Sequence, residues 1–123
     1  MRLLTLVFLL LFLNGCGRSA PTLAGGKPVS HWVEELHNPD AKLRKEAAFK
    51  LGNVGITDAQ ALPALLGALT DPDATVRCEV ILALVKFGSA AREAVPKLLE
   101  YHEHDPDPKV REYAGKALAK VRP

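Results

Sequence analysis

The sequence predicts an all-α fold, an α-solenoid of about three stacked helix-turn-helix repeats. One stretch of the chain occurs three times, at Asn38–Gly55, Asp71–Gly88 and Asp105–Val121. The copies begin N-P-D, D-P-D and D-P-D, and their prolines lie 33 and then 34 residues apart. A shared period of this length is typical of solenoids, in which one supersecondary unit stacks on the next.

Each copy has the start signals of a helix. A proline breaks the preceding chain, and the aspartate after it is suited to cap the helix N-terminus. An arginine four positions later lies on the same helical face, where it can pair with that aspartate. Because these pairs recur in every copy, we interpret them as a structural ladder rather than as catalytic groups. The predicted pairs are Asp40 with Arg44, Asp73 with Arg77, and Asp107 with Arg111.

The rest of each copy predicts an amphipathic helix with one buried face. Apolar residues recur at i, i+4 and i+8, the spacing of a single helical stripe. They are Leu43, Ala47 and Leu51, then Val76, Val80 and Leu84, then Val110, Ala114 and Leu118. Gly55 and Gly88 are candidates to end the first two helices.

A shorter helical pattern precedes each copy, at Ser30–Leu36, Pro63–Leu69 and Pro96–Tyr101. The repeats therefore span about 30–55, 57–88 and 90–121. The terminal repeats either are polar enough to act as caps or dock on another subunit. Trp32, in the first helix, either closes the end of the core or contacts such a partner.

The repeated pattern D-P-D-x-x-V-R-x-x-A-x-x-x-L-x-x-x-G, preceded by a helix of the x-x-P-x-L-L type, resembles the HEAT repeat. It is most similar to the short HEAT-like variety first associated with phycobilin lyases. The resemblance covers about Ser30 to Val121. It implies a stacked helical surface that binds another protein.

The N-terminus predicts export. Arg2 precedes an apolar run to Leu13 that is too short to cross a bilayer and fits a signal peptide of residues 1–15. The sequence Leu13-Asn-Gly-Cys16 resembles a bacterial lipobox, which implies lipid on Cys16 and membrane anchoring in the cell envelope. Gly17 resembles the residue of outer-membrane lipoproteins. The alternative is ordinary cleavage near Thr22-Leu-Ala24, which leaves a soluble exported protein.

The stretch between this signal and the repeats predicts a tether. Arg18–Pro28 has no hydrophobic periodicity and is rich in glycine and proline. The predicted layout is thus a signal peptide of residues 1–15, a lipidated cysteine with a flexible tether at 16–29, and a repeat domain at 30–123.

Charge and cysteine content argue against nucleic-acid binding and against an internal disulfide. The formal net charge is +2, and removal of Arg2 with the signal lowers it to +1. Such a balance gives no electrostatic footprint for nucleic acid. If Cys16 carries lipid, Cys78 has no partner for an internal disulfide.

Aligning the three copies predicts a partner-binding face. Positions that change character between copies are exposed, and these positions lie at i, i+4 and i+8 on the second helices. In HEAT-like stacks this surface is the concave side. The predicted patch has an apolar centre and a basic rim, which is common in binding sites. Its residues are Lys45, Phe49, Cys78, Leu82, Lys86, Lys116 and Lys120. The alternative is that Phe49 and Leu82 fold onto neighbouring helices.

We expect no catalysis and no cofactor. The HEAT-repeat enzyme deoxyhypusine hydroxylase has His-Glu pairs directly after the repeat arginine, and here the matching positions are Lys45-Glu46, Cys78-Glu79 and Glu112-Tyr113. The alternative function is metal binding by the cluster from His102 to Asp105. This alternative needs the preceding helix to have ended, because helical residues two apart point in different directions.

Overall fold

Six α-helices in three consecutive pairs make up most of residues 20–122, the part of the chain that the computed structural model describes. They are α1 (Val29–Glu35), α2 (Ala41–Val54), α3 (Ala61–Ala68), α4 (Ala74–Val85), α5 (Val95–His104) and α6 (Pro108–Val121). The second helices form the spine of the stack, with α2 packed on α4 and α4 on α6. The predicted all-α solenoid of three helix-turn-helix units is confirmed.

The aspartates after the repeat prolines cap the second helices, as predicted. Asp40 accepts a hydrogen bond from the Lys42 amide at 2.9 Å. Asp73 accepts the amides of Thr75 and Val76, and Asp107 accepts those of Lys109 and Val110. Each cap satisfies amides that have no partner inside the first turn of a helix.

The second helices end in two different ways. Gly55, with φ +62°, is the C-cap of α2, as predicted. Helix α4 ends earlier than predicted, at Val85, and Gly88 follows with φ +55°. Short 3₁₀ segments, Gly55–Thr57 and Gly88–Ala94, then lead into the next first helix. The connection between repeats is thus longer than between the helices of one repeat.

The apolar stripes of the second helices form the core, with one exception. Eight of the nine predicted stripe residues are buried, including Leu51, Val80 and Val110. Leu43 is instead exposed. It lies in the first turn of α2, and this first repeat has a neighbouring repeat on only one side within residues 20–122. The equivalent Val76 and Val110 are buried in later repeats.

A small β-hairpin precedes the first helix, where the sequence predicted part of a flexible tether. Strands β1 (Leu23–Ala24) and β2 (Lys27–Pro28) pair antiparallel, with Leu23 opposite Pro28. Two glycines with positive φ form the turn between the strands. The Val29 amide closes the hairpin by donating to the Thr22 carbonyl at 3.1 Å. The tether prediction is therefore wrong from Thr22 onward.

Trp32 attaches the hairpin to the stack. Its Nε1 donates a hydrogen bond of 2.7 Å to the Ala24 carbonyl, and the residue is 5% exposed. The ammonium groups of Lys27 and Lys50 lie 5.5 and 5.7 Å from the ring centroid. Trp32 therefore closes the end of the core, one of the two predicted roles.

Several predicted features lie outside residues 20–122. The signal peptide of residues 1–15, the lipidated Cys16 and the first residues of the tether all lie before residue 20. Between residues 20 and 122, no helix has the length and apolar character needed to cross a membrane.

Candidate functional site

The repeat arginines pair with carboxylates of the following repeat, not with the predicted aspartates of their own. Arg44 Nε and Nη2 lie 2.8 and 3.1 Å from the two carboxylate oxygens of Asp71. Arg77 makes the same forked contact with Asp105, at 3.0 Å for both hydrogen bonds. The predicted pairs of Asp40 with Arg44 and Asp73 with Arg77 are wrong, because those aspartates direct their carboxylates to helix amides instead.

The same arginines also bind the backbone of the turn between the two helices of their own repeat. Arg77 Nη1 donates to the carbonyls of Asp71 and Pro72 at 2.9 and 3.0 Å. Asp71 therefore receives Arg44 at its side chain and Arg77 at its backbone. Because Arg77 also pairs with Asp105 of the third repeat, these charge-assisted hydrogen bonds link three successive repeats.

The last arginine differs because no further repeat follows it within residues 20–122. Arg111 Nη1 donates to the carbonyls of Asp105 and Pro106 at 2.7 and 3.3 Å. It makes no ion pair with a described residue, so the predicted pair with Asp107 is wrong as well. The arginine–aspartate contacts thus join neighbouring repeats. The guanidinium and carboxylate groups of Arg44, Asp71, Arg77 and Asp105 hydrogen-bond to one another.

The second helices present one common surface, which we call the second-helix face. It consists of three positions each on α2, α4 and α6: Lys45, Phe49, Asn53, Cys78, Leu82, Lys86, Glu112, Lys116 and Lys120. Eight of these residues are exposed and Cys78 is half-buried. Phe49 is 47% exposed and Leu82 is 42% exposed, so neither side chain folds away into the core.

Part of the second-helix face is a shallow depression between α4 and its neighbours. It has a volume of about 180 Å³ and contains the predicted residues Lys45, Cys78 and Leu82. Thr75, Glu79, Lys109 and Tyr113 complete its lining and are not among the residues predicted for the face. Thr75 and Glu79 lie at helical i−3 and i+1 from Cys78, so a full helical projection of α4 finds them.

A second depression lies beside the first and shares two of its residues, Lys45 and Glu79. It has a volume of about 340 Å³ and is lined further by Lys42, Glu46 and Phe49. Because of the shared residues, the two depressions form one continuous surface with apolar side chains from α2 and α4. Glu46 and Glu79 make its rim mixed in charge, whereas the sequence predicted a basic rim.

Lys86 is held against this surface rather than extended into solvent. Its ammonium group lies 5.2 Å from the centroid of the Phe49 ring and 2.6 Å from Asn53 Oδ1. A cation over an aromatic face is an attractive contact that also orients the ring. By contrast, Lys116 pairs with Glu112 on its own helix, and neither Lys116 nor Lys120 lines either of these two depressions.

Cys78 is a weakly acidic thiol at the floor of the first depression. Burial raises the pKa of Cys78, and the nearby Asp107 carboxylate raises this pKa further, whereas Arg77 acts in the opposite direction. The thiol is therefore mainly protonated at neutral pH and contributes apolar surface. Among residues 20–122 it has no disulfide partner.

The structure does not assemble the alternative metal cluster. Helix α5 continues through His104, so the two histidines point in different directions. Asp105 is buried and accepts both hydrogen bonds from Arg77, while His102 Nδ1 lies 3.1 Å from the Arg111 carbonyl. Residues 20–122 contain no group of three or more potential metal ligands.

Comparison with known proteins extends over the whole helical region. Residues 29–121 match a family model described as HEAT repeats. The match begins at the first residue of α1 and ends at the last residue of α6, and it leaves out the hairpin. No curated protein matches the chain.

Proposed function

The chain belongs to the HEAT repeat family, and we propose that it is an exported, lipid-anchored module that binds another protein through its second-helix face. HEAT repeats commonly mediate protein–protein interaction or scaffolding. The observation that carries the proposal is the exposure of Phe49 and Leu82 on adjacent helices of this face. Large apolar side chains grouped on one surface mark interaction sites, whereas single scattered ones are ordinary.

The energetics of the face favour a partner with a complementary apolar group. Complete burial of a leucine or phenylalanine side chain contributes roughly 1.5–3 kcal/mol, and Phe49 and Leu82 begin about half exposed. The lysines and glutamates around them suit a polar rim with charges of both signs. This composition favours a folded protein surface with an apolar centre as the partner.

We propose that the chain has no catalytic role of its own. The acidic and basic groups with the best geometry, Arg44, Asp71, Arg77 and Asp105, are bound to one another and join the repeats. The second-helix face offers an exposed surface with shallow depressions rather than a deep pocket.

The proposed anchor is a lipid on Cys16, with the protein held in the cell envelope. It is supported by Arg2, the apolar run and the lipobox-like sequence. The hairpin adds a second argument, because cleavage after Ala24 would remove β1 and the carbonyl that accepts Trp32 Nε1. The alternative of a soluble exported chain would therefore lose part of the fold.

Intact mass measured on protein extracted from host membranes tests the anchor. We expect the mass of a chain that begins at a di- or triacylated Cys16. A chain that begins near Gly25 without lipid would contradict the anchor and leave a protein that diffuses freely.

Capture of a partner by cross-linking in host envelopes tests the binding face. The variant Phe49→Asp/Leu82→Asp places charges on the face and should lose the protein that wild type captures. Leu43→Asp is the matched control, because Leu43 is an exposed aliphatic residue of α2 outside this face. Capture at wild-type level by a folded double variant would show that the partner binds elsewhere.

A further inference from the structure

The hairpin shortens the tether that the sequence predicts. Thr22 is the first residue fixed by the hairpin, because its carbonyl accepts the Val29 amide. Six residue steps separate Thr22 from Cys16, and at about 3.3–3.6 Å per residue they span at most about 22 Å. Helix α2, with 14 residues, is about equally long. If Cys16 is lipidated, the hairpin therefore lies within about one helix length of the membrane surface.

The hairpin lies at one particular edge of the solenoid, which we call the hairpin edge. This edge consists of the β1–β2 hairpin, the C-terminal ends of α2, α4 and α6, and the two 3₁₀ segments. Leu23 shares a depression of about 410 Å³ with Lys50 and Val54 at the end of α2 and with Thr57 in the first 3₁₀ segment. The position of the hairpin decides which edge of the stack the tether holds near the lipid.

The hairpin edge exposes its own apolar side chains. Leu23 is 59% exposed and stands opposite the exposed Pro28 in the hairpin. Ile56, in the first 3₁₀ segment, is 78% exposed, the highest value among the exposed large apolar residues between positions 20 and 122. Both side chains belong to an edge distinct from the second-helix face, so the proposed partner does not explain them.

Charge is divided unequally between the two edges of the stack. Outside the second-helix face, the hairpin edge carries four basic side chains: Lys27, Lys50, Arg92 and Arg122. Asp58 and Glu93 are the acidic side chains of its two connections between repeats. At the opposite edge, the N-terminal ends of the second helices combine capping and paired aspartates with the three repeat arginines. The hairpin edge is therefore the basic side of the domain.

We propose that the hairpin edge lies against an anionic membrane surface, with Leu23 and Ile56 at headgroup level and the basic side chains over the lipid phosphates. The inference rests on the lipid anchor proposed above. Lysine and arginine near a membrane surface are attracted to anionic lipids, and exposed apolar side chains insert at the boundary of headgroups and acyl chains. In this orientation the second-helix face stands at the side of the domain, where a partner in the envelope reaches it.

Fluorescence quenching by headgroup-labelled lipids tests the orientation. The full lipidated chain with Cys78→Ser receives one reporter cysteine, either Ala59→Cys beside Ile56 or Thr70→Cys at the opposite edge; both sites are exposed. Each labelled protein is reconstituted into vesicles of phosphatidylcholine with phosphatidylglycerol. We expect strong quenching at position 59 and little at position 70. Equal quenching at the two positions, in protein that floats with the vesicles, overturns the orientation and leaves the anchor intact.

A variant of the hairpin edge separates lipid contact from mere proximity. Ile56→Asp/Arg92→Glu should remove most of the quenching at position 59 while the acylated protein still floats with the vesicles. Pure phosphatidylcholine vesicles should reduce the quenching in the same way, because they lack the anionic headgroup. Quenching unchanged by the variant and by lipid composition overturns the proposal. If the purified protein carries no acyl groups and remains in the supernatant, both the anchor and this inference are overturned.

Discussion

Arg44 donates two hydrogen bonds to the carboxylate of Asp71, which lies 27 residues further along the chain in the turn between the two helices of the next repeat. Arg77 and Asp105 repeat the contact 28 residues apart. A repeat in a solenoid contacts only its neighbours, so such contacts between repeats determine how cooperatively the stack unfolds. The contacts of Arg44 with Asp71 and of Arg77 with Asp105 therefore help to keep the second helices in register.

Arg77 and Asp105 should stabilise the fold only when both are present, because each neutralises the buried charge of the other. Both residues are buried, at 9% and 5% exposure. Asp105→Asn leaves the guanidinium without its anion and should lower the free energy of unfolding by about 3 kcal/mol, as expected when one partner of a buried pair is removed. Urea denaturation followed by circular dichroism measures this loss.

A double-mutant cycle is the control for that loss. Arg77→Met with Asp105→Asn should be little less stable than the worse single variant, because no unpaired charge remains buried. Additive losses in the double variant would mean that the two side chains act independently.

Asp73 should make stability depend on acid pH. The Thr75 hydroxyl and then the Val76 amide donate to its carboxylate and lower the pKa of Asp73 below its ordinary value of about 3.8. Because the pKa in the folded state is depressed, this stabilisation is present above the ordinary pKa and is lost as pH falls through the lowered one. Urea midpoints measured from neutral pH downward should show this decline.

Two substitutions around Asp73 isolate its contribution to the acid decline. Asp73→Asn keeps a capping side chain that cannot ionise, so the decline should become shallower. Thr75→Val removes the hydroxyl donor and should bring the pKa of Asp73 closer to its ordinary value. An acid decline identical in wild type and Asp73→Asn would assign it to other carboxylates.

Gly52 should resist substitution although it lies inside a helix. A Cβ atom at this position would lie 2.8 Å from Ala83 Cβ and 3.0 Å from Ala83 Cα, where α2 packs on α4. Ala83 cannot move aside as a long side chain would, so the two helices must separate. Overpacking of this kind costs about 1–3 kcal/mol, which exceeds the helix-propensity gain of up to about 1 kcal/mol.

Gly67 is the matched control for Gly52. It also lies within a helix, α3, but a Cβ atom there would contact nothing within 4 Å. Gly67→Ala should therefore raise stability by about 0.5 kcal/mol through helix propensity alone. Thermal unfolding of the two variants should give shifts of opposite sign, and a stabilising Gly52→Ala would contradict the close packing of α2 and α4.

The sequence predicted the repeats and the caps because both depend on local spacing. The i, i+4 spacing also permitted an Asp–Arg pair within each copy, but that aspartate binds amides of its own helix. The actual partner is the first aspartate of the next D-P-D, which becomes a neighbour only when the repeats stack. The hairpin was missed because its strands have two residues each and show no periodicity, although Gly25-Gly26 is a turn signal.

The candidate face was predicted only in part, because residue spacing describes each helix by itself and not the contacts between stacked helices. Comparison of the copies identified exposed rows along each second helix, and these rows give Phe49, Cys78 and Leu82 correctly as surface residues. The rows do not identify which residues of neighbouring helices contact one another. Tyr113 and Glu79 line the depressions because of how α4 and α6 pack, and Lys120 lies apart from them for the same reason.

Cys78 should react slowly with alkylating reagents and should report on the first depression. Burial raises the pKa of its thiol, so less thiolate, the reactive form, is present at neutral pH than for an ordinary cysteine.

Iodoacetamide labelling of Cys78, measured from the mass of its peptide, should be slower in the folded chain than in urea. The rate should rise with pH as thiolate forms, and it should still be rising at pH values above the ordinary pKa of the thiol, where the rate for an ordinary cysteine has levelled off. A bound partner should slow the reaction further, since Cys78 and Leu82 line the same depression. Labelling as fast in the folded chain as in urea would show that the depression does not shield the thiol.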